Sequence, residues 1–411
     1  MPHSKRTFCL LSAACIFMLP LMAFSGQEHT VDGTLHIVNG AEPSKGEKIL
    51  TLEEQWRMGG GDDGEIFGLI VRALIADDRV YLLDTQLSEV KVYDTEGNFI
   101  RTLSREGEGP GEVRMPADML FLPDGTLGLV QLFPGKVTKL DLEGNPTGVF
   151  KTGGDAIPEG GFLQFYNVKS SDKTMVLSAS LGTRGEGTQT RTTYVASYDM
   201  DGHELVRYES SPYVQEFSNF KIDESKSYCL DFNKWALGED GRVYTASYRN
   251  DYALNVYNPD GSLDRVIKRE YEPIKRTADQ MQEYIDSRKA RVRVSYPFEV
   301  IPADTDQTIR RVTFGPDGNL WVQSGRSNLD LADGIIETYD IFDPDGNFIY
   351  RYALKCEGDG KEDVLHVVLR DQAIQVTGYF SAMNALLSGG VQVEEDKEPA
   401  PMEIIYHRVR W

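Results

Sequence analysis

Cysteine is scarce in this sequence, and its scarcity excludes one class of fold. Only four of the 411 residues are cysteines, and Cys9 and Cys15 lie close to the N-terminus. The remaining pair, Cys229 and Cys356, is too small a set for a disulfide-rich scaffold. The two either form one disulfide in an oxidising compartment or remain buried thiols, and they lack the spacing of a metal site.

Basic residues are also fewer than acidic residues. The chain has 43 lysines and arginines against 64 aspartates and glutamates, which gives a formal net charge of −21. Nucleic-acid binding and attachment to an anionic membrane surface both depend on clustered basic residues, so this balance argues against either partner. Hydrophobic residues still make up 40% of the chain, which is enough to bury a substantial core.

Long apolar runs are missing after the N-terminal region. The one such run, residues 8–24, follows Lys5 and Arg6, and small residues precede a plausible cut before Gly26. A basic start, an apolar stretch and a small-residue cleavage site together predict a secretory signal peptide over residues 1–25. The run is short for a bilayer span, so we expect no membrane span after cleavage.

The signal predicts an exported protein, either periplasmic or extracellular. Lipid attachment at Cys15 is the alternative. Against it, Ser12 stands where a lipoprotein signal has leucine, and the apolar run continues well past the cysteine. We therefore expect export without lipoprotein anchoring.

Motifs for metal binding and nucleophilic catalysis are absent as well. The six histidines include no H-x-x-x-H or H-E-x-x-H pair, and no serine lies in a G-x-S-x-G turn. The glycine-rich stretches 59–64 and 107–111 precede no helix, so they lack the context of a phosphate-binding loop. No cofactor is therefore predicted. Calcium, held by oxygen ligands such as Asp118, Asn167 and Asp231, is the alternative, and basic neighbours argue against it.

A repeated pair of turn signals is what the sequence does contain. In three units the pairs are Asp124-Gly125 with Glu143-Gly144, Asp240-Gly241 with Asp260-Gly261, and Asp317-Gly318 with Asp345-Gly346. Two further units have Asp77-Asp78 with Glu96-Gly97, and Asp172-Lys173 with Asp201-Gly202. Asp-Gly between alternating apolar residues is a strong signal for a tight β-hairpin. Each unit therefore predicts one four-stranded antiparallel blade.

A sixth unit near the C-terminus is incomplete. Residues 366–371, 373–376 and 402–406 predict three strands, and no fourth follows. Residues 52–65 are similar to the end of the first complete unit and are predicted to supply that strand. The fold prediction is an all-β, six-bladed β-propeller of four-stranded antiparallel blades, closed by an N-terminal outer strand, with a short helical insertion.

The same features carry a family resemblance. The loop Gly-Glu-Gly-Pro-Gly-Glu at residues 107–112 follows an outer strand, and Asp-x-x-Gly turns recur along the chain. With the export signal, they resemble the NHL-repeat-type six-bladed β-propellers of exported bacterial proteins. The resemblance covers residues 50–411. It implies the fold and leaves the function open, because the group ranges from binding modules to calcium-dependent lactonases and metal-dependent lyases.

The predicted organisation has three parts. A signal peptide spans 1–25, a flexible segment spans 26–48 and the propeller spans 49–411. Residues 270–308 are predicted to be an insertion between the fourth and fifth blades, containing a helix that Thr277 can cap. The insertion either decorates a blade edge or covers the channel mouth, and we favour the first.

Candidate binding residues come from the repeat alignment. Propeller ligands bind at one mouth of the central channel, on residues that lead into the inner strands. One position counted back from each first turn, together with its counterpart in the sixth unit, nominates Arg72, Asp118, Tyr166, Lys234, Arg311 and His366. A set rich in arginine and lysine in an acidic chain predicts an anionic ligand. The alternative is that these side chains pair with carboxylates and only line a wet channel.

These observations predict an exported, noncatalytic binding or interaction module. It would hold an anionic small molecule, a glycan or a protein at the channel mouth. The alternative is a calcium-dependent, lactonase-like hydrolase or lyase of the propeller type, so enzymatic activity stays an open question with binding favoured. Converging acidic or histidine side chains at one mouth would favour the enzyme, and a basic mouth would favour binding.

Overall fold

The part of the chain that the structure describes begins after the predicted signal peptide. The computed structural model describes residues 26–61, 65–152, 157–171, 174–292, 294, 296–387 and 401–411. The predicted signal peptide, residues 1–25, lies outside these ranges. Within them, neither helix combines the length and the apolar composition that crossing a bilayer requires.

Strands dominate the described chain. It opens with β1 (Gln27–Val31), β2 (Thr34–Asn39) and β3 (Glu47–Gly59). The first antiparallel sheet has β4 (Ile70–Ala76), β5 (Arg79–Asp84), β6 (Glu89–Asp94) and β7 (Phe99–Thr102). The second has β8 (Pro116–Phe121), β9 (Leu127–Gln131), β10 (Lys136–Leu140) and β11 (Pro146–Phe150). The third has β12 (Phe162–Ser171), β13 (Thr174–Gly185), β14 (Thr188–Tyr198) and β15 (Glu204–Glu216).

Two more four-stranded sheets follow, separated by shorter elements. A 3-10 helix (Phe217–Asn219) and β16 (Lys221–Asp223) lead to the fourth sheet, which has β17 (Trp235–Leu237), β18 (Val243–Thr245), β19 (Ala253–Tyr257) and β20 (Leu263–Arg269). Helix α1 (Ala278–Arg291) and β21 (Glu299–Ile301) come next. The fifth sheet has β22 (Ile309–Phe314), β23 (Leu320–Ser324), β24 (Ile335–Phe342) and β25 (Phe348–Lys355).

The sixth sheet joins strands from distant parts of the chain. It contains β26 (Val364–Leu369), β27 (Gln372–Val376) and β28 (Glu403–Arg410), with helix α2 (Tyr379–Leu387) after β27. Strand β3 lies antiparallel to β28, in register from Glu403 opposite Gly59 to Arg410 opposite Thr51. The N-terminal strand thus supplies the fourth strand of this sheet. The first residues of β3 also run parallel to β25, which links the fifth and sixth sheets.

Asp-x-x-Gly turns order the outer hairpins of the sheets. In the first sheet, Asp94 Oδ1 accepts hydrogen bonds from the backbone N–H groups of Glu96 and Asn98, at 3.1 and 2.8 Å. Gly97 adopts a φ of 89°, which a side chain would disfavour. The same carboxylate-capped turn recurs at Asp141–Asn145, Asp199–His203 and Asp343–Asn347. The repeated turn signal therefore has a local physical cause.

Hydrophobic clusters fill the space between neighbouring sheets. One cluster joins each consecutive pair from the first sheet to the sixth, and another joins the sixth to the first. The fully buried Trp235 lies between the third and fourth sheets, and Trp321 lies between the fifth and sixth. Strand β26 contacts β4, β4 contacts β8, β8 contacts β12, and β17 contacts β22. These four pairs of first strands are therefore neighbours. We call the first strand of each sheet its inner strand, and the inner strands carry the candidate site.

The segment 26–48 differs from the prediction that it is flexible. It contains β1, β2 and the start of β3. Strands β1 and β2 form a hairpin whose turn residues Asp32 and Gly33 have positive φ. Strand β2 runs parallel to β20 and extends the fourth sheet. The segment has no hydrophobic run, so its sequence gives no sign of a folded element. Pairing with the edge of an existing sheet is what orders it.

Asn39 fixes this docking from a buried position. Its Nδ2 donates to the carbonyl oxygens of Lys268 and Gly346, both at 3.0 Å. Its Oδ1 accepts from the backbone N–H of Phe348 at 2.8 Å. One side chain therefore connects the N-terminal hairpin to both the fourth and the fifth sheets.

The insertion between the fourth and fifth sheets contains the expected helix. At the start of α1, the backbone N–H of Gln280 donates to Thr277 Oγ1 at 3.3 Å, and the N–H of Thr277 donates to Gln280 Oε1 at 2.9 Å. This reciprocal pair is a capping box. No residue of α1 is buried.

A buried carboxylate anchors the insertion to the sheets. Glu224 accepts from Arg249 at 2.9 Å and from Arg276 at 2.7 Å, and Arg276 also pairs with Asp306 at 2.7 Å. Strands β16 and β21 run parallel beside this network. The segment before the fourth sheet and the insertion after it are therefore held together.

Helix α2 was not predicted from the sequence. It follows β27 directly, and its Asn384 accepts a hydrogen bond from Arg291 of α1 at 2.9 Å.

Cys229 and Cys356 are both free thiols, so the disulfide alternative does not apply to this structure.

Candidate functional site

Bulges near the start of four inner strands place a set of polar side chains at equivalent positions. The pairing register shifts immediately before each of these residues, in β4, β8, β12 and β22. In each strand the bulge leaves one residue without a partner on the neighbouring strand. The first paired residue after the bulge is Arg72 in β4, Asp118 in β8, Asn167 in β12 and Arg311 in β22. A bulge redirects the side chains beside it, which suits a strand that has to aim a polar group.

Arg72 and Asp118 form a two-pronged ion pair between adjacent inner strands. Arg72 Nε lies 2.5 Å from Asp118 Oδ1, and Arg72 Nη2 lies 2.8 Å from Oδ2. Asn167 Nδ2 donates to the same Oδ2 at 2.7 Å, and the backbone N–H of Met119 donates to Oδ1 at 2.9 Å. Burial lowers the pKa of Arg72, and the Asp118 carboxylate outweighs that effect and raises it. The Asp118 carboxylate is thus saturated by donors.

Tyr166 is the unpaired residue of the β12 bulge. It does not occupy the position of Arg72 and Asp118, which belongs to Asn167. Its ring packs against Phe232, with centroids 5.5 Å apart, and burial raises the pKa of its hydroxyl. Counting back from the turn misses this position by one residue because the bulge adds a residue that sequence spacing does not reveal.

Lys234 lies at the expected place, but its ammonium group binds backbone carbonyl groups. Its Nζ donates to the carbonyl oxygens of Ile309 and Arg310, both at 3.0 Å. Burial lowers its pKa to about 8, against the opposing effect of Asp231. The ammonium therefore satisfies carbonyl groups at the bulge of β22, which is a structural role.

Arg311 lies among polar groups that are already engaged with one another. Beside it, Gln323 Nε2 donates to Glu337 at 2.5 Å, and Tyr339 Oη donates to the other Glu337 oxygen at 3.0 Å. Burial lowers the pKa of Arg311, and Tyr339 and Glu337 more than compensate, so that it is raised. Burial also raises the pKa of Glu337. In the described ranges no carboxylate lies at ion-pair distance from Arg311, but the Tyr339 hydroxyl and the Glu337 carboxylate both stabilise its charge.

Lys169 was missed by the sequence analysis. It follows Asn167 by two residues on β12 and is half-buried, with its Nζ 5.5 Å from the centre of the Trp235 ring. Burial, and then the nearby Arg72, lower its pKa to about 8, with Arg311 adding to the effect and Asp118 opposing it. Like Arg311, it has no carboxylate partner among the residues that the structure places.

His366 and Tyr379 complete this group of side chains. Burial, Arg72 and Arg311 lower the pKa of His366 well below its usual value, so the ring is neutral at pH 7. His366 Nε2 is buried and has no hydrogen-bond partner in the described chain. Tyr379, the first residue of α2, is close enough to Arg311, Arg72 and Asp118 to influence them electrostatically.

We call Arg72, Asp118, Asn167, Lys169, Arg311, His366 and Tyr379 the inner-strand cluster. Four of its members were nominated by the repeat alignment. Lys169 and Tyr379 gave no usable signal, because one lies two residues beyond the repeated position and the other lies on an unforeseen helix. Tyr166 and Lys234 were nominated but have the other roles described above.

Oxygen and nitrogen ligands for a metal are not gathered at the cluster. Across the described ranges, no group of three or more histidine, cysteine, aspartate or glutamate side chains is arranged to hold an ion. Asp118, the calcium ligand that the sequence offered, is occupied by Arg72 and Asn167. The reachable polar groups are mainly hydrogen-bond donors.

A cavity of about 1040 Å³ lies at the start of α2. Its walls include Phe67 and Gln86 from loops beside the first sheet, and Gly378 and Ser381 at α2. No residue of the inner-strand cluster is among its lining residues, so it is a separate space.

Three solved structures match the chain over most of its length, at low identity and with TM-scores below 0.5. A Bacteroides fragilis NCTC 9343 protein described as exported is 11% identical, with a TM-score of 0.45 over 91% of this chain and 99% of its own. A DUF4221 member from Bacteroides vulgatus is 10% identical, with a TM-score of 0.46 over 88% and 98%. An inactive variant of virginiamycin B lyase from Staphylococcus aureus, with quinupristin, is 10% identical, with a TM-score of 0.39 over 87% and 99%.

Sequence comparison is more limited. No curated protein matches the chain. The family model DUF5128, described as a 6-bladed beta-propeller, matches residues 62–151, which include the first sheet and the second. In that region the chain is similar to six-bladed β-propeller proteins, in agreement with its four-stranded antiparallel sheets.

Proposed function

We propose that the protein is an exported, noncatalytic binding module that holds an anionic small molecule at the inner-strand cluster. In this proposal the six sheets close into an NHL-type propeller, and the cluster lines its central channel. The cyclic order of the hydrophobic clusters and the pairing of β3 with β28 support the closure. A glycan or protein ligand would have to present an anionic group to the same residues.

The observation that carries this proposal is Lys169, a half-buried cation with no carboxylate at ion-pair distance in the described ranges. Removing a cation from water costs several kcal/mol unless a counter-charge or hydrogen bonds compensate. The lowered pKa of Lys169, about 8, reflects that cost. The nearest carboxylate that favours the charged form of Lys169 is Asp118, and it is already paired with Arg72. A bound anion would supply the compensation.

The state of Asp118 favours binding over the calcium-dependent hydrolase. A calcium ion needs several free oxygen ligands, and those of Asp118 already accept from Arg72, Asn167 and Met119. Recruiting Asp118 to a metal would release Arg72 as a further unpaired cation beside it. The same geometry instead assists an anion, because it fixes the orientation of the guanidinium.

Arg311→Gln tests the proposal. We expect the mature wild-type protein to be thermally stabilised by small anions, and the variant to lose most of that stabilisation, because it lacks one guanidinium of the cluster. Arg101→Gln is the matched control, since Arg101 lies on β7 and pairs with Glu143 far from the cluster. Equal anion-dependent shifts in melting temperature for the wild-type protein and both variants would contradict the proposal.

A further inference from the structure

The cavity beside α2 offers a second space for a small molecule, apart from the inner-strand cluster. Its volume of about 1040 Å³ is close to the upper end of the size range of ligand pockets in proteins. No member of the inner-strand cluster lines it. An inference drawn from this cavity therefore does not rest on the anion-binding proposal.

Apolar side chains form much of the cavity wall. The residues of α2 that line it lie on one stripe of the helix, namely Ser381, Ala382, Ala385 and Leu386. The small side chains in this stripe leave space beside the helix that a larger side chain would fill. Phe67 and Met402 also line the cavity, and both belong to the hydrophobic cluster between the first and sixth sheets. These walls suit a ligand with an apolar body.

Every charged residue on the described part of the lining is acidic. These residues are Glu362, Asp363 and Glu403. The described lining contains no lysine, arginine or histidine. Asp363 accepts from neutral donors, including Gln375 Nε2 at 2.9 Å, and Glu403 pairs with Arg57 at 3.1 Å. Glu362 is the carboxylate that remains for a charged ligand.

Glu362 is half-buried and is held in place by the start of α2. Its Oε2 accepts from the backbone N–H of Ser381 at 3.1 Å and from Ser381 Oγ at 2.6 Å. Its backbone carbonyl accepts from the N–H of Phe380 at 3.0 Å. Within the described ranges, no cation lies at ion-pair distance from Glu362 and no group donates to its Oε1. One oxygen of a fixed carboxylate is therefore left for a ligand donor.

We propose that this cavity binds a small organic cation, namely an amine with an apolar body. The ammonium group would donate to Glu362, and the apolar body would lie against Phe67, Met402 and the lining stripe of α2. The acidic walls favour a positive charge on the ligand, and they oppose an anion of the same size.

Calorimetric titration of the mature protein at about pH 7 tests the sign of the ligand charge. The probes are tryptamine, tryptophol and indole-3-propionate, which share an indole ring and carry a cationic, a neutral and an anionic group. We expect tryptamine to bind about tenfold more tightly than tryptophol, and indole-3-propionate to bind most weakly. Absence of tryptamine binding, or tryptophol and tryptamine of equal affinity, overturns the proposal.

Glu362→Gln connects the charge preference to one residue. The variant keeps an acceptor for Ser381 and loses the negative charge, so it should bind tryptamine about tenfold more weakly and tryptophol with unchanged affinity. Glu239→Gln, at an exposed turn, is the matched control and should bind both probes like the wild-type protein. A preference for tryptamine that survives Glu362→Gln contradicts the assigned role of Glu362.

Ala385→Phe tests whether the probes bind in the cavity. The larger side chain should occupy the space beside α2 and abolish binding of both tryptamine and tryptophol. Ala385 is exposed, so the change should leave the fold intact, and Ala290→Phe at an exposed position of α1 is the matched control. Unchanged tryptamine affinity in Ala385→Phe would show that the amine binds elsewhere and would overturn the proposal.

Arg311→Gln separates this inference from the anion-binding proposal. Arg311 does not line the cavity, so the variant should bind tryptamine like the wild-type protein whether or not it loses its response to anions. Loss of tryptamine binding in Arg311→Gln would place the amine at the inner-strand cluster and would contradict the assignment to the cavity.

Discussion

Arg72 and Arg311 occupy equivalent positions, each directly after a bulge, and yet their surroundings differ. Arg72 meets Asp118 on the next inner strand, while no described carboxylate pairs with Arg311. The difference arises from the neighbouring sheet and not from either arginine. Sequence spacing could therefore nominate both residues, but it could not distinguish the paired cation from the unpaired one.

Asp118→Asn should reveal what the ion pair does. We expect a loss of about 2 kcal/mol in the free energy of unfolding, because Arg72 would lose its counter-charge while remaining partly buried. We also expect tighter anion binding, because the released guanidinium adds a positive charge to the cluster. Chemical denaturation and calorimetric titration measure the two effects.

Asp124→Asn is the control for this change. Asp124 pairs with Lys139 at an exposed hairpin, so the same loss of charge should cost less than about 1 kcal/mol and leave anion affinity unaltered. Weaker anion binding by Asp118→Asn would show instead that Asp118 is needed to orient Arg72.

Lys169 should make anion affinity depend on pH. Its free-state pKa is about 8, so the ammonium is present below that pH and is lost as the pH rises through it. A bound anion favours the charged form, so affinity should be full below about pH 8 and decline above it. Titrations from about pH 6 to about pH 10 would show the decline.

Lys234 also has a pKa of about 8, so variants of Lys169 are needed to assign the alkaline decline to Lys169. Lys169→Arg should keep its affinity at high pH, because a guanidinium remains charged. His366 is neutral already and should contribute no change near pH 7. Parallel alkaline declines in the wild-type protein and Lys169→Arg would assign the titration to another group.

At the scale of the elements, the sequence predicted turns and helix caps but did not predict which distant strands pair. The Asp-x-x-Gly turns are encoded within five residues, and the capping box at Thr277 is encoded within four, so the sequence predicted both. The bulge that displaces Tyr166 and the hairpin of β1 and β2 depend on partner strands far along the chain. Their physical cause is pairing, which no local pattern records.

Asn39→Ala should detach the N-terminal hairpin. The change removes three hydrogen bonds and leaves two carbonyl groups and one N–H in need of partners, at a cost of about 2 to 3 kcal/mol. Hydrogen exchange should rise in β1 and β2 while the sheets beyond β20 stay protected. Asn98→Ala, which alters an exposed turn, is the control, and equal exchange in the two variants would contradict the role of Asn39.

At the scale of the molecule, the repeat was the most informative feature. Five turn pairs and an incomplete sixth unit predicted four-stranded sheets and the joining of β3 to β28, and the structure shows both. Helix α2 and the position of Lys169 were not predicted, because neither is part of the repeat. Repetition reveals what the sheets have in common, whereas a binding site is made by what differs between them.

Removing residues 403–411 should disrupt the whole assembly. Without β28, strand β3 loses its antiparallel partner, and the clusters on both sides of the sixth sheet lose Ile404, Tyr406 and Val409. We expect aggregation or loss of the cooperative thermal transition, measured by size-exclusion chromatography and calorimetry. Deleting residues 26–40 is the control and should lower stability without abolishing the cooperative transition, because those residues add an edge hairpin to the fourth sheet.

The pairing of β3 with β28 also has a consequence for the order of events in biosynthesis. Strand β3 is made early, and its partner is made only after some 340 further residues, a delay on the order of tens of seconds at ordinary elongation rates. For most of that interval an amphipathic strand has no native neighbour on either side, since β25 is also made late. Nascent or partly translocated chains would therefore be clients of holding chaperones. Such chaperones would also recognise a prematurely terminated chain by its unpaired β3.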